Sequence, residues 1–123
     1  MNDYNSRILR ELGNDEVFHF FTALGNYTGQ SACSLDDFLQ KIKKIDAQSL
    51  EFHLFREDFE KWVSSTLGDG QLAKDVAMLR RQKAAGADLR DRLSSVVLKR
   101  LNELRRAPLE PAAKKQVKKK GRL

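Results

Sequence analysis

The feature that most limits how this chain can fold is the run from Ser34 to Leu79, in which apolar residues recur at helical spacing with few interruptions. Ser34 followed by Leu35, Asp36 and Asp37 predicts a helix start. The hydroxyl can accept from a free backbone N–H, and the acids face the positive end of the helix dipole. Leu35, Phe38, Leu39, Ile42 and Ile45 then follow the i, i+3, i+4, i+7 spacing of one buried stripe, leaving Gln40, Lys41, Lys43 and Lys44 for water. Ser49 is expected to cap the next helix. After it Leu50, Phe52, Leu54, Phe55, Phe59, Trp62 and Val63 are too densely apolar for a surface helix, which predicts a nearly buried helix bending around Arg56 to Asp58. Gly68 supplies a stop that tolerates a left-handed conformation, and Asp69 can cap a following helix with Leu72, Val76 and Leu79 as its stripe.

Outside that run the pattern is thinner. Tyr4, Ile8, Leu9 and Leu12 suggest a short helix, with Asp3 or Asn5 as its cap and Gly13 as its stop. Val17, Phe18, Phe20 and Phe21, interrupted by His19, fit either one buried strand or an apolar helical turn. Gly25 to Ser31 is expected to be a polar loop. Its two glycines do not make a phosphate loop, since no Gly-Lys-Ser or Gly-Lys-Thr follows, and an ordinary turn is the preferred reading. Beyond Leu79, the stripe Leu89, Leu93, Val96, Val97, Leu101 and Leu104 belongs either to one long helix or to two hinged at Gly86, whose helical cost is only about 1 kcal/mol. Two helices on one core are favoured.

With 123 residues, 41% of them hydrophobic and 33% charged, the chain has the size and composition of one globular domain. Gly and Pro number only 7 and 2, and the expected class is therefore all-α. The expected architecture is a compact bundle of about five helices, with at most one short strand or extended segment near the N-terminus. Residues 1–107 form the predicted domain. Pro108 and Pro111 end regular structure, and the Lys-rich residues 108–123 have too little apolar surface to fold alone. No apolar run is long enough for a membrane span and no signal peptide is evident, so a cytoplasmic protein is expected. Cys33 is the single cysteine, which excludes an internal disulfide, and it is expected to pack as a small apolar residue.

Taken together, Ser34-Leu35, Asp37-Phe38, Ser49-Leu50, Phe52-His53, Arg56, Asp58-Phe59, Trp62, Leu67-Gly68-Asp69 and Leu72-Ala73 resemble an uncharacterised prokaryotic family, mainly archaeal, of small helical domains. That family carries a Ser-Leu-x-Glu-Phe segment and then a His-x-x-Arg-x-Asp-Phe-x-x-Trp segment. The resemblance covers roughly Phe18 to Leu79. It implies a helical fold and brings no assigned activity with it.

His53, Arg56, Asp58 and Asp69 are the strongest polar constellation. His53 and Arg56 are three apart on one helical face, with Asp58 just beyond. A histidine beside a carboxylate can do acid–base work, but a structural role is favoured, in which a buried His or Arg takes its partner from Asp58 or Asp69. No nucleophile motif accompanies them, and His19, Cys33 and His53 lack metal-ligand spacing, so neither catalysis, a cofactor nor a metal is expected. Phe52, Phe55, Phe59 and Trp62 are expected to be core rather than a base-stacking platform. The net charge of +6 is unevenly placed. Lys114, Lys115, Lys118, Lys119, Lys120 and Arg122 form a cationic segment without an acid, while the remaining 17 Lys and Arg balance 17 Asp and Glu. Such a segment either solubilises or binds DNA or RNA without reading sequence; it lacks the apolar face of a membrane anchor. The expectation is a non-enzymatic binding module with this nucleic-acid contact. The alternative is a protein-interaction or homodimer module using Leu89 to Leu104.

Overall fold

A computed structural model describes residues 3–106, with side chains from Asn5 onward; Lys114, Lys115, Lys118, Lys119, Lys120 and Arg122, like the rest of residues 107–123, lie outside the described part. The element order is α1 (Asp3–Leu9), β1 (Phe18–Ala23), β2 (Asn26–Ala32), α2 (Leu35–Ile42), α3 (Ala47–Phe55), α4 (Asp58–Lys61), a π-helical stretch (Trp62–Leu67), α5 (Gly70–Arg81) and α6 (Gly86–Arg106). The all-α expectation is thereby corrected: the fold is α+β, because β1 and β2 pair as an antiparallel hairpin. The physical reason lies in β2. Its residues Asn26 to Ala32 are mostly exposed and polar, so the strand has no buried alternation to betray it, and the stretch expected to be a loop is hydrogen-bonded sheet. Leu24 and Gly25 make the turn, with Gly25 at φ 75. β1 itself buries Phe18 and Phe20, and register irregularities on either side of Phe21 interrupt its alternation.

A two-stranded hairpin is marginal alone and needs a surface to pack on. Here Phe18 and Phe20 enter an aromatic cluster with Phe38, Phe59 and Trp62, the Phe18 ring lying 5.0 Å from Phe20 and 5.4 Å from Trp62. The Trp62 indole N–H donates to the Glu16 carbonyl at 2.9 Å, fixing the approach to β1. α6 packs against α1, α2, α3 and α5. Leu89, Leu93, Val97, Leu101 and Leu104 on it are buried in the same core. Asn5 is a buried member of α1 rather than its cap, and its amide donates to the Leu104 carbonyl at 2.9 Å.

The helix ends show which local chemistry was decisive. Ser34 caps α2 by accepting from the Asp37 N–H. The α3 cap is Asp46, which accepts from the Gln48 N–H, and not Ser49; Ser49 lies within α3, fully buried. The bend after α3 falls at Glu57, a non-glycine residue in the left-handed region at φ 68. Gly68 ends the π-helical stretch at φ 83, and Asp69 caps α5 through the Leu72 N–H. α5 and α6 are two helices separated at 82–85. Among the described residues no helix is long and apolar enough to cross a membrane.

Candidate functional site

The four polar residues of the sequence constellation separate into two places. His53, Arg56 and Asp58 meet: Asp58 Oδ2 lies 2.9 Å from His53 Nδ1 and accepts from Arg56 Nε at 3.0 Å. Asp69 stands elsewhere, fully buried, where one carboxylate oxygen caps α5 and the other accepts from Arg100 Nε on α6 at 2.7 Å. Of the two carboxylates offered as partner for His53 or Arg56, Asp58 fills the role and Asp69 does not. A helix-capping carboxylate and a cation 31 residues away leave no spacing signal in a sequence.

His53 is held at both ring nitrogens. The Phe21 backbone N–H of β1 donates to Nε2 at 2.8 Å, which leaves Nε2 without a proton and puts the ring proton on Nδ1, facing Asp58. Burial pushes the His53 pKa down, against the opposing pull of Asp58, so the neutral ring is the stable form. Phe18, Phe20 and Phe59 surround it edge-on or tilted. The imidazole is thus a strut between α3 and the outer edge of β1, with no ring nitrogen left to exchange a proton with a substrate. Cys33 is only half-buried rather than packed in the core. Burial and the neighbouring Asp37 push its thiol pKa up, away from the nucleophilic thiolate. Among the described residues no group of three or more His, Cys, Asp or Glu could hold a metal ion.

Beside this strut a cleft of about 490 Å³ opens between β1 with its turn and the α3–α4 junction. Its walls are Phe18, Phe21, Leu24 and Phe52; Arg56, Asp58 and Lys61 supply its polar side. Phe52 and Phe55, expected to be core with Phe59 and Trp62, are corrected here. Phe59 and Trp62 are buried, but Phe52 is half-buried and Phe55 is 47% exposed. α3 turns Ser49, Leu50, His53 and Leu54 inward, so its outer face carries aromatics while its inner face carries a serine and a histidine. Apolar density alone could not show that inversion. Leu24 and Lys61 also line this cleft and Tyr27 packs against Phe21 beside it; none of the three carried a sequence signal.

The chain belongs to a family of unknown function, DUF5752, whose model matches residues 14–117. The match reaches beyond the Phe18 to Leu79 resemblance to include α6, so the two C-terminal helices are part of the family's domain. No curated protein and no solved structure matches it.

Proposed function

We propose that this protein is a non-enzymatic binding module that holds DNA or RNA through its basic C-terminal segment without reading sequence. The observation that carries this is the placement of charge: six cations from Lys114 to Arg122 stand without an acid, whereas elsewhere 17 basic residues face 17 acidic ones. The folded part supports the reading, because several of its cations are ion-paired within it. Arg10 pairs with Glu16, Lys41 with Asp37, Arg80 with Glu60, Arg100 with Asp69 and Arg105 with Asp36. A polyanion therefore meets the densest uncompensated charge of the sequence in the C-terminal segment, and binding is driven by release of counterions from the phosphates. The engagement of both His53 nitrogens supports the non-enzymatic part of the proposal.

The test is a salt titration of binding to a short mixed-sequence duplex and a single strand, comparing the full chain with one ending at Pro108. The proposal expects tail-dependent binding whose affinity for duplex falls with salt at a log–log slope approaching about −5, for six phosphate contacts. Binding that persists without the segment or ignores salt would contradict it. The second reading, a protein-interaction module, is favoured by a specific feature, although not the one the stripe suggested. Leu89, Leu93, Val97, Leu101 and Leu104 are committed to this chain's own core, which counts against a seam there. Exposed apolar side chains gather instead around the β1–α3 cleft.

A further inference from the structure

The geometry points to the cleft between β1 and α3 as a docking site for a linear peptide segment in which an acidic residue stands beside an apolar one. Arg56 carries the argument. Its Nε is tied to Asp58 at 3.0 Å, and its guanidinium lies over the Phe52 ring, 5.0 Å from the centroid. Held on two sides, it keeps its terminal amino groups free of any hydrogen bond among the described residues, and its side chain is 48% exposed. A fixed guanidinium with its fork open is a receptor for a carboxylate, since little rotamer freedom remains to be lost on binding. Lys61, exposed on the same cleft, makes no ion pair among the described residues and adds a second positive charge.

The apolar half of the ligand follows from the walls. Of the five large hydrophobic residues that are exposed among the described residues, Leu24, Tyr27 and Phe55 belong to the hairpin or to α3. Phe52 and Arg56 line both the main cleft and a shallower groove beyond it that includes Phe55. A ligand filling both must straddle Arg56, which suits an extended chain better than a compact small molecule. Two further features mark the region as specialised. The left-handed Glu57, which sets Arg56 and Asp58 on either side of a sharp bend, is one; the π-helical turn that begins right after Lys61 is the other.

The probe is an array of short synthetic peptides in a Ser-Gly background, each with Glu beside Phe or Leu. Paired controls carry Gln for Glu or Ser for the apolar residue. Binding is measured to the full chain at about 0.15 M salt. Exchange of Glu for Gln should weaken binding about tenfold, and exchange of the apolar residue for Ser should do so by a similar factor. Arg56→Gln should erase the preference for Glu, and Leu24→Ser, at an exposed turn position that the fold does not need, should erase the preference for the apolar residue. Binding that ignores the apolar residue would show the Lys-rich segment acting alone and would overturn the proposal. So would an array without binders, or preferences that survive both variants. Both variants should keep nucleic-acid binding intact, so this site and the basic segment succeed or fail separately.

Discussion

Asp58 and Asp69 are eleven places apart in one apolar run, each beside a helix break, yet their surroundings differ in almost every physical respect. Asp69 has no exposed surface; it caps α5 with one oxygen and binds Arg100 of α6 with the other. Asp58 is a quarter exposed and shares a single oxygen between His53 and Arg56 at the edge of an open cleft. The first carboxylate closes a joint between helices. The second orients two side chains, one turned inward to the hairpin and one outward to solvent. Within one small domain, burial separates a carboxylate that holds the fold from one that prepares a surface.

Breaking the closed side should have the largest effect. Asp69→Ala removes the α5 cap and takes from the largely buried Arg100 its 2.7 Å carboxylate, leaving the Glu103 contact, so a loss of about 3 kcal/mol is expected in urea unfolding. Asp69→Asn, which can still accept from the Leu72 N–H, should lose about half as much. Next comes the strut. His53→Phe suits the aromatic surroundings but strands the Phe21 N–H, and should cost about 2 kcal/mol. The same variant tests linkage. Burial holds the folded His53 pKa below its ordinary 6.5, so on acidification the unfolded chain takes up a proton before the folded one does. The His53 contribution is full above pH 6.5 and drains as pH falls from there toward the folded pKa. Wild type should lose stability in that window, and His53→Phe should lose the part of the slope that the histidine supplies.

Asp58→Ala sharpens the comparison, because the open side loses a partly solvated carboxylate. About 1 kcal/mol of stability is expected to go, well below the Asp69→Ala loss, with peptide selectivity at Arg56 falling further than stability does. If the two aspartates prove equal in unfolding experiments, the division between a holding and an orienting carboxylate is wrong. The smallest effect is expected at Glu57, where φ is 68. Glu57→Gly relieves left-handed strain but adds freedom to the unfolded chain, and a net gain of about 0.5 kcal/mol should appear as a slightly raised Tm.

What could be read ahead of the structure was what local chemistry decides. Ser34, Gly68 and Asp69 act at helix ends as their side chains or lack of one dictate, and the α2 stripe buries the residues its spacing names. The hairpin escaped because β2 exposes most of its residues and owes its order to pairing with β1, a partner that periodicity in one segment cannot reveal. Ser49 reads as a cap from its residue type alone, and only the chain's path out of Ile45 gives that place to Asp46. Within the site, His53 with Asp58 was legible from spacing. The bond from Phe21 to His53 and the outward turn of Phe52 and Phe55 depend on where the hairpin lands on α3, and that is tertiary information.

The arrangement of the cleft's polar side turns on His53 as a neutral strut with its proton on Nδ1, holding β1 to α3 while Asp58 ties Arg56 only at Nε. The most direct test is the nitrogen-15 spectrum of the His53 ring at neutral pH. A protonated Nδ1 coupled to Asp58 and an unprotonated Nε2 accepting from Phe21 are expected; a proton on Nε2, or a cationic ring, would rule the strut out.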